Sequence, residues 1–211
     1  MPKKMVFFIP MTALILDTSL DRGFVALVTN KQLVHVDEIP SKQFVASIPP
    51  LLEKLNKNKL TLDYIAAGIG PGSYTGTRSG VAFANAFAFA NDLPLVGFYS
   101  PLAYLPKKEG AFAYLIEGKR EDICLIEGEK SLSEILSYQK PKKIPKEALL
   151  LALNHKPVTV DSKTATLNLP PLIPLLYKLF LSKEGSLDHS LTPSYLYEID
   201  LPNPSKIPAT N

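Results

Sequence analysis

The residues best suited to chemistry in this chain form the run Gly70-Pro71-Gly72-Ser73-Tyr74-Thr75-Gly76-Thr77-Arg78-Ser79-Gly80, between an apolar strand-like segment and a stretch of small residues. Glycines admit backbone geometries closed to other residues, so the run reads as a shaped loop leading into a helix N-terminus. Backbone N–H groups at a helix start lack intrahelical acceptors and point outward, which makes such a loop a candidate anion cradle. It is not a Walker A sequence, because no Gly-Lys-Ser/Thr follows, and the spacing Gly70, Gly72, Gly76 misses the dinucleotide pattern G-x-G-x-x-G by one residue. The other reading of the same residues is a tight strand-to-helix connection that holds no ligand.

Other reactive side chains are sparse. Cys124 is the only cysteine, which excludes an internal disulfide and a multi-cysteine zinc site. His35, His155 and His189 are far apart and form no H-x-x-x-H pair, so neither a bound metal nor a cofactor is expected. Lys140, Lys142, Lys143 and Lys146 cluster among prolines, a pattern that suits contact with RNA or another polyanion but more often marks a solvated loop, which is the expectation here; with only Tyr138 beside them base stacking is not indicated.

The glycine run must be positioned by its neighbours. From Arg78 to Ala90 the alanines Ala82, Ala84, Ala86, Ala88 and Ala90 interleave with Phe83, Phe87 and Phe89, and only Arg78 is charged. An alanine-rich segment of this length favours a helix over a strand. As a helix it places Ala82, Ala86 and Ala90 on one smooth ridge with Phe83 and Phe87 beside it, open to close approach by another helix. Burial on all sides and packing against a partner subunit are both compatible with that composition.

Upstream, Ala13 to Asp17, Phe24 to Thr29 and Leu33 to Ile39 read as an antiparallel meander with turns at Asp21-Arg22-Gly23 and Asn30-Lys31. Phe44, Ile48, Leu51, Leu52 and Leu55 have helical spacing, which Pro49-Pro50 interrupts. Asp63 to Ile69 and Leu95 to Phe98 are further strands, giving an α/β arrangement with a mixed sheet and helices on its faces. A boundary falls near residues 100 to 110, dividing the chain into an N-terminal domain over 11–104, a smaller domain over 105–200 and a proline-rich tail over 201–211. In the second part Ala111 to Glu117 and Ile123 to Glu127 read as a hairpin, Glu147 to Leu153 as a short helix, Val158 to Val160 as a strand and Leu172 to Leu181 as a helix.

With 46% hydrophobic and 20% charged residues over 211 positions, the composition is that of a globular protein able to bury a sizeable core. Lys3-Lys4 followed by Met5 to Leu16 imitates a signal peptide, but no small-x-small cleavage site follows and the apolar run passes into Asp17-Thr18-Ser19. Residues 1 to 10 are expected to be an extension, with Met11 a candidate start and the protein cytoplasmic. No stretch reaches the roughly 18 apolar residues of a membrane span.

The pairing of Leu16-Asp17-Thr18-Ser19 through Val25-Ala26-Leu27 with the glycine run resembles the bacterial TsaB family, also called YeaZ. The likeness continues through Leu93-Pro94-Leu95-Val96-Gly97-Phe98-Tyr99-Ser100 and returns at Thr192-Pro193-Ser194-Tyr195-Leu196. Phe24 departs from it, standing where the family commonly has a small or polar residue.

The resemblance implies two ribonuclease-H-like domains of the actin, sugar kinase and Hsp70 superfamily, the second shortened, and would put Cys124 on a second-domain strand as a small apolar residue. It also implies a non-catalytic scaffold or activating subunit in forming N6-threonylcarbamoyladenosine in tRNAs that read codons beginning with A. Such a subunit binds the catalytic protein TsaD, is joined by the ATPase TsaE, pairs with itself when TsaD is absent, and touches tRNA indirectly or weakly.

Residue by residue, the resemblance carries a glycine-loop role to Gly70, Gly72, Ser73, Tyr74, Thr75 and Gly76. It carries a partner-binding role to Arg78, Ala82, Phe83, Ala86 and Phe87. No catalytic residue is implied: the segment Ser41 to Leu55, comparable to the metal-holding helix of TsaD, contains no histidine. Asp17 would coordinate magnesium in an active superfamily member, but without a basic neighbour or a second phosphate loop it is expected to cap its own turn. The alternative is an active actin-like phosphotransferase that uses the glycine loop on ATP.

Overall fold

The computed structural model describes residues 11–20, 22–40, 50, 53, 61–117, 122–145, 159–161, 165–182 and 190–194. Its first sheet contains β1 (Thr12–Asp17), β2 (Arg22–Thr29), β3 (Gln32–Pro40), β4 (Tyr64–Gly68) and β5 (Leu95–Phe98) in the order β3-β2-β1-β4-β5. The meander β1, β2, β3 is antiparallel, whereas β4 and β5 are parallel to β1. Asn30 and Lys31 take positive φ values of 54° and 63°, the backbone a tight β2–β3 hairpin requires.

The side-chain period of β1 explains why this sheet is covered on both faces. Ala13 and Ile15 point to one core and Leu14 and Leu16 to another, and every residue of β1 is buried. The second core is roofed by helix α1 (Tyr74–Asn91), which lies over β4 and also touches β1 and β5.

The first core is shared with the rest of the chain. After a short 3-10 turn over Ser100–Tyr104 come β6 (Gly110–Glu117), β7 (Asp122–Lys130), β8 (Ile135–Tyr138), β9 (Lys142–Pro145) and β10 (Thr159–Asp161). They form a second sheet in the order β10-β6-β7-β8, with β9 also paired to β7. β6 and β7 are antiparallel, β8 is antiparallel to β7, and β10 is parallel to β6. This repeats the relation of β1, β2, β3 and β4 without a counterpart of β5 among the described residues. Two ribonuclease-H-like units, the second shortened, are therefore present.

Phe112, Tyr114, Ile116, Cys124 and Ile126 from the second sheet meet Phe24, Tyr64 and Phe98 from the first. Helix α2 (Leu172–Ser182) adds Leu172, Ile173, Leu176 and Phe180, and the Phe180 ring stacks on Tyr64 with centroids 4.6 Å apart. Cys124 is buried on β7, as the resemblance implied.

The lysine cluster is corrected by the structure. Lys142 and Lys143 lie on β9, paired to Leu125 and Cys124, instead of in a loop. Lys142 Nζ sits 2.6 Å from the largely buried carboxylate of Glu127, so one of these lysines balances an interior charge. Apart from residues 50 and 53, which are helical, the pattern at 44–55 lies outside the described residues, as do 147–153 and the tail after 194.

Candidate partner-binding site

The glycine loop is packed against the segment that follows β1. A Cβ placed on Gly76 would stand 2.0 Å from the carbonyl oxygen of Thr18, and one on Gly72 would stand 2.1 Å from that of Ser19. Glycine is needed at these positions because backbone lies directly on backbone. The Ser73 N–H donates to the Ser19 carbonyl at 2.5 Å, and the Thr18 hydroxyl donates to the Gly76 carbonyl at 2.6 Å.

Other loop donors are also occupied. Gly70 N–H donates to Ser100 Oγ at 2.9 Å, Gly76 N–H to Ser73 Oγ at 3.3 Å and Thr77 N–H to the Ser73 carbonyl at 2.9 Å. Ser19 thus already takes the Ser73 N–H, one of the donors a phosphate loop would offer its ligand. The geometry favours the ligand-free connection, with Gly70, Gly72, Ser73 and Gly76 fixing the direction of the helix.

Asp17 caps its own turn as expected, its Oδ1 accepting the Ser19 N–H at 2.7 Å. Its Oδ2 is fully buried and accepts no hydrogen bond. Burial pushes its carboxyl above the usual carboxylate range, against the opposing pull of the Ser19 N–H and the nearby hydroxyls of Ser19 and Ser100. Phe24 pairs directly across from Asp17 and meets Tyr104 edge to face at 6.2 Å, while Tyr104 Oη donates to the Arg22 carbonyl at 2.6 Å. Aromatic side chains therefore fill the interior around the one carboxylate an actin-like phosphotransferase would use. Phe24, singled out as a departure from the family, is part of that filling.

Helix α1 begins at Tyr74, earlier than the alanine pattern from Arg78 indicates, because Ser73 serves as N-cap and its hydroxyl takes the Gly76 N–H. It ends where Asp92 adopts a left-handed conformation with φ of 53° and sends its N–H back to Ala88 and Phe89. Gly76, Thr77, Gly80, Val81, Ala84 and Ala88 form its buried face.

The opposite face is open. Thr75, Arg78, Ser79, Ala82, Ala86, Phe89 and Ala90 are exposed along it. Phe83 and Phe87 are half-buried at its flank and stack on each other at 5.6 Å. The Arg78 guanidinium lies over the Tyr74 ring at 4.3 Å, which holds the only charged side chain of the helix at one end of the stripe.

Of the residues proposed from sequence for partner binding, the structure thus brings Arg78, Ala82 and Ala86 onto one exposed stripe and places Phe83 and Phe87 along its edge. Sequence reasoning missed Phe89, which is 78% exposed. The signal was available: Phe89 lies seven residues after Ala82, and that spacing returns a helix to the same face.

Three comparisons bear on what this architecture is. The family model described as "TsaD: tRNA N6-adenosine threonylcarbamoyltransferase" matches residues 35–164. The protein named tRNA threonylcarbamoyladenosine biosynthesis protein TsaB from Haemophilus influenzae is 34% identical over 90 residues, which are 41% of this chain and 38% of that protein. The TsaB of Buchnera aphidicola is 32% identical over 99 residues, 45% of this chain and 47% of that protein. The solved structure titled YeaZ from Pseudomonas aeruginosa superimposes with a TM-score of 0.65 at 19% identity, over 88% of this chain and all of that one.

The chain belongs to the TsaD-type family, in its TsaB/YeaZ branch. The curated TsaB matches span less than half of those relatives' own length. The YeaZ likeness, at its low identity, speaks to fold, and agrees with the two-sheet arrangement. Among the described residues no His, Cys, Asp and Glu side chains gather in a metal-holding group, and no helix is long and apolar enough to cross a membrane.

Proposed function

We propose that this TsaB/YeaZ-type chain is a scaffold and activating subunit in the formation of N6-threonylcarbamoyladenosine in tRNA, and that it works by docking a TsaD-type catalytic subunit on helix α1. The observation that carries this reading is the exposed stripe of α1, where Ala82, Ala86, Phe89 and Ala90 stand open with no acidic side chain among them. Small residues let a second helix approach closely, and the flanking Phe83 and Phe87 together with exposed Phe89 supply apolar area to bury. The names of the curated TsaB relatives support the assignment to this modification.

In this reading the chain contributes no catalytic residue. Its glycine loop and Asp17–Ser19 turn brace the start of α1, so the stripe is held at a fixed angle to the sheet. A TsaE-type ATPase joins the assembly, self-association through the same stripe occurs when the catalytic subunit is absent, and tRNA is contacted chiefly by the partner. The site of action is the cytoplasm, where tRNA is modified.

The test is Ala86→Arg. Position 86 is exposed, so the isolated chain keeps its fold, while a guanidinium in the centre of a helix–helix contact blocks close approach. Co-purification with a TsaD-type subunit and restoration of tRNA modification are both expected to be lost. Retained binding by the variant refutes the reading.

A further inference from the structure

One sequence motif is not absorbed by this function: Thr192-Pro193-Ser194, far from the glycine loop along the chain. The structure lays residues 190–194 directly beside it. The Leu191 backbone is gripped by a single side chain, Asn85 of helix α1, whose Oδ1 accepts the Leu191 N–H at 2.9 Å and whose Nδ2 donates to the Leu191 carbonyl at 3.2 Å. An amide used in this way replaces the pair of backbone bonds that a neighbouring strand would provide. The Leu191 side chain packs on the second core and over Gly97, where an added Cβ would come within 3.0 Å of Leu191 Cδ2. The Ser194 N–H donates to the Ile69 carbonyl at 2.6 Å, immediately before the glycine run.

Asn85 lies three residues after Ala82 and four before Phe89, so it borders the exposed stripe on the side away from Phe83 and Phe87. We infer that residues 190–194 form a strap that is the second wall of the partner surface, and that Asn85 is the positioning residue that fixes it there. The stripe is then a groove between the strap and Phe83/Phe87. Its occupant is a helix of the TsaD-type subunit, an inference that rests on the function proposed above and is continuous with that surface. The grip accounts for a polar amide within the otherwise apolar stretch from Gly80 to Ala90.

The experiment compares the unaltered full chain with Asn85→Ala by amide hydrogen exchange and by titration with a TsaD-type subunit. Because Asn85 is half-exposed and, among the described residues, its side chain bonds to Leu191, the melting temperature is expected to stay within a degree or two. Exchange at Leu191 and Ser194 is expected to quicken about tenfold while β1 and β4 are unchanged, and affinity for the partner to fall about tenfold. A purely structural asparagine would lower the melting temperature and leave affinity alone. Unchanged exchange at Leu191 overturns the grip, and faster exchange with unaltered affinity overturns the strap as a wall of the surface. If the unaltered chain itself fails to bind the subunit, the proposed function falls and this inference falls with it; normal binding by Asn85→Ala removes the inference alone.

Discussion

Gly76→Ala tests the claim that the glycine run is there to let backbone lie on backbone. The added methyl carbon would stand 2.0 Å from the Thr18 carbonyl oxygen and 3.2 Å from its carbon, against an ordinary contact distance that begins at 3.4 Å. The Asp17–Ser19 turn and the start of α1 must therefore separate by more than about 1 Å. That movement strains the 2.6 Å bond from the Thr18 hydroxyl to Gly76 and the 2.5 Å bond from Ser73 to Ser19. Overpacking costs about 1–3 kcal/mol and each weakened buried hydrogen bond about 1 kcal/mol more, while alanine recovers up to about 1 kcal/mol of helix propensity. The balance is a destabilisation of about 3 kcal/mol, which for a chain of this size lowers the melting temperature by roughly 6–12 °C. Differential scanning calorimetry of the variant beside Ser79→Ala, an exposed change on the same helix expected to be neutral, measures it. A fall of less than about 2 °C refutes the backbone contact, because a ligand-binding loop with room to spare accepts one methyl group.

Asp17→Asn is expected to stabilise the chain near neutral pH. Burial raises the folded-state carboxyl above its unfolded value, so its stabilising contribution is complete below the unfolded value and is lost as pH rises through the folded one. Urea unfolding across pH should show the advantage of the variant shrinking towards acid; an advantage that grows in acid refutes the burial argument. Cys124 should resist thiol reagents at pH 8 in the native state, since burial pushes its thiol up to about 12, and should react quickly in denaturant. Equal labelling rates in the two states contradict this. Phe89→Ser should leave the melting temperature unchanged, because the ring is 78% exposed, yet weaken capture of a TsaD-type subunit several-fold in a pull-down. A variant that binds normally removes Phe89 from the contact surface.

Much of the first sheet was legible in the sequence because its strands are short apolar runs bounded by turn residues. Ala13 to Asp17, Phe24 to Thr29, Leu33 to Ile39 and Leu95 to Phe98 fall on observed strands within a residue or two at each end. β8 and β9 were not legible. They lie along the edge of the second sheet, where few apolar residues are needed and lysine and proline are tolerated, so Lys142 and Lys143 read as loop. The helix start was misplaced by four residues because the cap is Ser73, whose role depends on backbone geometry more than on apolar pattern.

The candidate site divides in the same way. The alanine ridge and its flanking Phe83 and Phe87 follow from helical periodicity, which is local and can be counted along the chain. Whether that ridge is buried cannot be counted, because it depends on which face the sheet covers. The structure settles it by turning Val81, Ala84 and Ala88 inward and leaving Ala82, Ala86 and Phe89 open.

The helix, the meander, the glycine run and the family resemblance could be read along the chain, because each is carried by short runs of neighbouring residues. Folding of the whole chain is what packs Thr18 and Ser19 on the glycine loop, puts Phe24 and Tyr104 beside Asp17 and lets Asn85 hold Leu191. These contacts join residues separated by 58, 80 and 106 positions along the chain. No local pattern encodes them, because such pairs meet only when whole sheets and helices have packed.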